Sequence, residues 1–343
     1  MSHRISFRHA LKAGTAIALA VSFASAFEAP QASAQGTAAA AGDATEVVVT
    51  GTRAPRRSRL DTLAPVDVIK FDSLTAQASP ELAQGLSQLA PSIDFPRPAV
   101  TDGTDSIRPV TLRGLSPDQA LVLVNGKRAH ASALVSINGS VGRGSAAVDL
   151  NTIPESALST VEILRDGAAA QYGSDAIAGV INLRLREANH GGNVSASYGQ
   201  YDTEVETANT KYHKADGGTL TASGWIGLPL GSEGFVTISG ELKDRHPTSR
   251  GGLDTRLAPD PAQVVSRYGD PAERATTLYV NAGAPINADW KFYGWGSFQN
   301  RYDQSAANFR PFNNSGNVLA IYPKGFLPVI DVHSKDYSYA LGV

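Results

Sequence analysis

VEILRDGAAAQYGSDAIAGVINL, Val161 to Leu183, reads as two strands joined by a turn of small residues. β-Branched and aliphatic residues at both ends favour extended backbone, and Gly167, Gly173 and Gly179 punctuate the middle. Worked outward, the strands run Thr160–Arg165 and Val180–Arg186, and a helix is expected near Ile153–Leu158. Further upstream, Val110–Arg113 and Ala120–Val124 read as strands, and Asn125-Gly126 is the dipeptide that favours a two-residue hairpin turn. Val66–Lys70 reads as another strand. Pro80–Leu89 reads as an amphipathic helix with Ser79 as N-cap, Pro80 at its first position and Pro91 as its stop, burying Leu82, Leu86 and Leu89 on one face. Residues 64–187 thus form an expected α+β domain.

Downstream of His190-Gly191-Gly192 the texture becomes two-residue alternation. Val194, Ala196 and Tyr198 oppose Asn193, Ser195 and Ser197; Leu220, Ala222, Gly224 and Ile226 oppose Thr219, Thr221, Ser223 and Trp225. The pattern returns at Val236–Leu242, Leu278–Ala282 and Trp290–Phe298, and a sixth run starts at Tyr337. One apolar and one polar face per strand suits a membrane barrel with a wet interior. Short links (Leu228–Gly234, Ala284–Asp289) alternate with long ones (Gln200–Gly218, Lys243–Ala275, Arg301–Asp336), the asymmetry of outer-membrane barrels. Trp290, Phe292, Tyr293 and Trp295 are candidates for an aromatic girdle. Six strands cannot close around such a domain, so residues 192–343 are expected to begin an antiparallel transmembrane β-barrel of about 22 strands.

Upstream, Arg4, Arg8 and Lys12 precede the apolar run Ala13–Phe27, and Ala32-Ser33-Ala34 is a small-x-small cleavage site. An export signal over 1–34 is expected, with cleavage after Ala34; His3 and His9 leave with it, and no metal site is expected. Residues 35–63 read as a tether, since Gln35–Thr45 is rich in Ala, Gly and Thr. Within it Glu46-Val47-Val48-Val49-Thr50-Gly51-Thr52-Arg53 is a short β-branched strand, followed by basic Arg56, Arg57 and Arg59. A tethered strand offers its backbone to a partner by β-augmentation. The 343 residues contain no Cys and carry net charge −2, a balance that gives no footprint for nucleic acid.

Three fragments, VTLRGL (Val110–Leu115), LVLVNGKR (Leu121–Arg128) and the opening stretch, resemble in order and spacing the plug of TonB-dependent outer-membrane receptors. Asp166 departs from the more usual Gly-Pro after the arginine. The resemblance implies an α+β plug followed by the barrel, in the outer membrane of a Gram-negative bacterium. It also implies that Glu46, Val47, Val48, Val49, Thr50, Gly51 and Thr52 form the box grasped by periplasmic TonB. Arg113 and Arg165, with Glu162, are implied plug–barrel contacts. The segment Ala131–Ala147 would be the plug apex, so Ser116, Asp118, Gln119, His130, Ser132, Asn138, Ser140 and Arg143 are candidate ligand contacts.

The implied activity is energy-coupled import of a scarce nutrient such as a ferric siderophore, cobalamin or a saccharide, with TonB and outer-membrane lipid as partners. No cofactor and no covalent chemistry are expected. A passive channel would lack both the box and the plug. A nucleotide-binding periplasmic enzyme rests on Gly142-Arg143-Gly144-Ser145-Ala146-Ala147, but a dinucleotide turn must follow a strand and open a helix, and its neighbours Asn138, Gly139 and Pro154 argue against both.

Overall fold

The computed structural model describes residues 47–48, 57–58, 66–75, 81–257 and 262–343. The expected export signal, most of the tether including Glu46 and Val49–Thr52, and Ser79 with Pro80 lie outside the described residues. Within the box, β1 (Val47–Val48) pairs antiparallel with β2 (Arg57–Ser58).

A five-stranded mixed sheet forms the plug. Its members are β3 (Val66–Lys70), β6 (Ala120–Val124), β7 (Lys127–Arg128), β8 (Leu158–Leu164) and β9 (Gly179–Leu185), in the order β3-β8-β9-β6-β7. Only β6 and β9 run parallel. A two-stranded pair, β4 (Ile93–Asp94) with β5 (Thr111–Leu112), stands beside it. Helices α1 (Phe71–Thr75) and α2 (Leu82–Leu89) cover one face, and α3 (Ala169–Tyr172) lies in the turn between β8 and β9. Helix α2 starts after Glu81, whose backbone is extended and whose side chain makes no cap bond. The helix expected over 153–158 is instead two single turns, Leu150–Thr152 and Glu155–Ala157, because Pro154 between them removes the backbone donor a continuous helix needs.

The opening stretch has local reasons for its letters. Gly179 has φ +145°, and a Cβ there would sit 2.2 Å from the Leu164 carbonyl oxygen, so β9 can approach β8 this closely only without a side chain. Asn182 donates to Glu162 at 3.1 Å and accepts from the Gly126 amide at 2.9 Å. Asn125 (φ 49°) and Gly126 (φ 76°) make the left-handed turn that the dipeptide predicts. The motif therefore ties three plug strands together.

Six long strands follow as an antiparallel meander: β10 (Gly192–Glu206), β11 (Lys211–Leu230), β12 (Gly234–Arg245), β13 (Ala272–Pro285), β14 (Lys291–Ala306) and β15 (Val329–Gly342). Residues 200–218, expected as a long connection, extend β10 and β11 across a bulge between Gly199 and Tyr201 and leave only 207–210 as the link. Cross-strand pairs there set Glu204 opposite His213 and Glu206 opposite Lys211, oppositely charged or polar neighbours that support the ladder. The sixth strand begins at Val329 rather than Tyr337. The long connections are 246–271 and 307–328, and the short ones 231–233 and 286–290.

One face of this wall is apolar and exposed at Val194, Leu220, Ile226, Leu278, Tyr339 and Leu341. The other face receives the plug. Trp295 and Tyr279 belong to that inner face and join the plug's core with Leu86, Leu112, Leu158 and Ile181; Trp295 is therefore a core residue and no girdle member. Lys127 lies over the Tyr293 ring at 4.9 Å, so Tyr293 also faces the plug.

Candidate functional site

Where plug and wall meet, charged groups are buried in pairs. Glu81, at the mouth of α2, is fully shielded and faces Arg97 and Arg108 from the plug and Lys243 and Arg245 from β12. Arg108 bonds Glu81 at 3.2 Å and reaches Asp270, just before β13, at 2.9 Å. Glu273 on β13 closes the group, 3.0 Å from Arg245 and 3.5 Å from Lys243. Lys243 and Arg245 are two apart on one strand, so both point inward, and the register sets Arg245 directly opposite Glu273. Burial alone would raise the Glu81 pKa. Arg108, Arg245, Lys243 and Arg97 outweigh it and hold the carboxyl well below its ordinary range.

A second contact follows the same logic on β14. Arg301 forms ion pairs with plug Asp149 at 2.7 Å and with strand neighbour Asp303 at 2.9 Å. Gln299, on the same inner face, donates to the Asn151 carbonyl at 2.7 Å. A single charge stripped of its partner in such a place costs several kcal/mol, so these pairs seat the plug in one position. Arg186 adds a staple where the plug chain leaves for the barrel. Its guanidinium lies 4.6 Å from the Phe71 ring and 4.4 Å from the Trp225 ring of β11.

The seam has one discordant place. Glu155 faces Glu241 of β12, and burial together with that like charge pushes Glu155 up to about 7, with Lys243 opposing.

The residues singled out from the sequence fall in different surroundings. Arg113 (φ 54°) donates to the Ala178 carbonyl at 3.1 Å, Glu162 accepts from Asn182, and Arg165 pairs with Asp67 at 2.8 Å, all within the plug. Asn138 donates to Asp102, and the Ser140 hydroxyl meets that of Thr104. This corner lies toward the long connections, because neighbouring Gly103 approaches Val332 near the start of β15. His130 reaches Asp336 on β15 at 3.3 Å. Ser132 accepts from the Leu134 amide, Ser116 bonds Asp118, and the Gln119 carbonyl accepts from Ala178. Arg143 is exposed in a turn where Gly144 bonds back to Ser136. No strand precedes that turn and no helix follows it, so the dinucleotide reading of 142–147 falls.

Glu81, Arg108 and Asp149 escaped the sequence reading. Their signal was present: Arg108 and Asp149 are single charges set among apolar neighbours, and Lys243/Arg245 and Arg301/Asp303 are charges two apart on strands.

A small mixed-sheet domain seated by buried charges against the polar face of an antiparallel meander defines a plug-and-barrel protein. Residues 58–180 match the family model described as TonB-dependent Receptor Plug Domain, and the plug of this chain is similar to the plugs of that family. It is 31% identical over 192 residues to the vitamin B12 transporter BtuB of Vibrio cholerae serotype O1, covering 54% of this chain and 27% of that protein. The chain thus spans about a quarter of that relative's length. Among solved structures, a variant of the ferric enterobactin receptor PfeA of Pseudomonas aeruginosa in complex with enterobactin shares the fold. Its TM-score is 0.56 at 18% identity, over 80% of this chain and 38% of the other. A second variant of that receptor matches at 0.52 and 17%, over 80% and 38%.

Proposed function

We propose that this protein imports a scarce nutrient across the outer membrane of a Gram-negative bacterium, driven by TonB acting on Glu46–Thr52. The observation that supports this most is the seating of the plug. An obstruction fixed by buried ion pairs has no use in a passive channel, and moving it needs work from outside the barrel. The coupling strand precedes β3, an edge strand of the plug sheet, and α1 and Glu81 come next along the chain. A pull on the box therefore reaches the edge strand and then the centre of the charge cluster.

The cargo class rests on likeness. A vitamin B12 transporter and a ferric enterobactin receptor are the relatives named above, so a cobalamin or a ferric siderophore is the proposed nutrient. Asn138, Ser140 and exposed Arg143 are the proposed first contacts, with Ser116, Asp118, Gln119, His130 and Ser132 as further ones. Arg113, Glu162 and Arg165 are proposed to support seating from within the plug.

Proline at position 48 removes an amide donor from the strand that TonB would pair with, whereas Val48→Ile keeps both donor and shape. Val48→Pro is expected to abolish energy-dependent accumulation of labelled cyanocobalamin or ferric enterobactin, whichever the cells take up, while surface binding persists. Val48→Ile is expected to behave as wild type. Accumulation by Val48→Pro at the wild-type rate defeats the proposal.

A further inference from the structure

The short links 231–233 and 286–290 lie at the end of the wall opposite the long connections. At that end the plug's Asn125-Gly126 turn faces β12 to β14 across a cavity of about 240 Å³. One water needs only roughly 15 Å³ of such space, so the cavity has room for a small solute and its hydration.

Three cations and one carboxylate line it. Lys127 comes from the hairpin, Arg184 from the end of β9 and Lys291 from the start of β14, while Glu187 is the carboxylate. Glu187 stands 3.8 Å from Lys291. Lys127 lies over the Tyr293 ring at 4.9 Å and Lys291 over the Phe235 ring at 5.8 Å, and both rings belong to the lining. Each ring holds an ammonium in place without cancelling its charge. Arg184 is half-buried and pairs with no carboxylate among the described residues, whereas Arg108, Arg128 and Arg165 of the same plug each hold one. A guanidinium withdrawn from water without an acceptor is costly, so the site is incomplete as a set of protein groups alone.

The backbone fixes this meeting of charges. Strands β6 and β9 run parallel with Val124 opposite Leu183, which sets Arg184 beside the turn, and the Leu185 amide donates to Asn125 Oδ1 at 2.8 Å. On β14, Lys291 and Tyr293 are two apart and share the inward face.

We infer that this cavity is an anion site for a phosphate group, which Arg184 grips with paired N–H donors while Lys127 and Lys291 neutralise it from plug and wall. Three positive charges less one negative leave two, which a phosphate dianion balances and a single carboxylate does not. An anion there touches the hairpin and β14 together, and so completes the seam where cations otherwise face cations. Nothing in this depends on what the protein imports. Free inorganic phosphate and a phospholipid headgroup both present the required chemistry.

The full chain in detergent is titrated at constant ionic strength with inorganic phosphate and with glycerophosphoglycerol, the deacylated headgroup of phosphatidylglycerol, and binding is read by calorimetry. One saturable site per chain is expected. Arg184→Gln is expected to weaken it by about tenfold or more, and Lys127→Gln and Lys291→Gln by less. Glu187→Gln removes the opposing charge and is expected to tighten binding by about threefold, a gain that a damaged fold does not produce. Lys211→Gln, at the other end of the wall beside Glu204, is expected to leave binding unchanged. Tighter binding of inorganic phosphate assigns the site to the free ion, and tighter binding of glycerophosphoglycerol assigns it to a lipid headgroup. The site is overturned if neither probe saturates, if Arg184→Gln and Glu187→Gln leave the affinity unchanged, or if Lys211→Gln costs as much as Arg184→Gln.

Discussion

Two carboxylates of one plug meet the same wall strand with opposite outcomes. Glu81 enters among Arg97, Arg108, Lys243 and Arg245, and its charge is wanted there. Glu155 meets Glu241 beside an open cavity, and its charge is unwelcome. Burial alone penalises both equally in kind, so the partners decide the sign. The first contact locks and the second leaves slack, which places the strong and the weak parts of the seam on neighbouring stretches of β12.

The comparison breaks most readily at its strong end. Glu81→Gln leaves cations from two elements facing one another without their counter-ion, and is expected to weaken plug seating by about 3–5 kcal/mol. Urea-dependent labelling of Ser106→Cys, a buried plug position, measures this as a lowered midpoint. An unchanged midpoint means that the cluster contributes nothing to seating.

The weak end sharpens it through pH. Glu81 has a folded-state pKa below its ordinary value, so its stabilisation is present above the ordinary carboxylate range and is lost as pH falls toward the depressed value. Glu155 runs the other way. Raised to about 7, it favours the seated plug at low pH, and that contribution fades as pH climbs from about 4.5 through about 7. Glu155→Gln is expected to raise the urea midpoint at pH 8 by the equivalent of about 1–2 kcal/mol, to change little at pH 5, and to flatten the profile between. A profile identical to wild type removes Glu155 from the seam's energetics.

The smallest effect belongs to a pair that looks equally good on paper. Arg165 and Asp67 form an ion pair at 2.8 Å, but their side chains are 40% and 38% exposed. Arg165→Ala is expected to shift the same midpoint by less than about 1 kcal/mol, because water already serves both ions. A loss as large as that of Glu81→Gln assigns Arg165 a wall contact beyond strands β10–β15.

The two-residue alternation of β10–β15 was legible because a membrane wall repeats one rule at every position, and so was the hairpin at Asn125-Gly126, whose turn is dictated by two residues. Residues 200–218 were misjudged for a related reason: where polar and charged residues occupy both faces the apolar half of the pattern is lost, while the backbone pairing of β10 and β11 continues. The turn pair around Pro154 was misread as a helix because apolar spacing over six residues fits either. The motif Val161–Leu183 identified the domain, yet its Glu162 and Asn182 serve the plug's own sheet.

By itself the sequence determined the kinds of element and which face of each strand is polar, since those follow from neighbours along the chain. Which charges meet across the lumen was decided only in three dimensions. Glu81 and Arg245 lie 164 positions apart, and Asp149 and Arg301 likewise sit on separate elements. Their pairing depends on the register of β12 to β14 and on how the plug sits against it, and no local pattern encodes either.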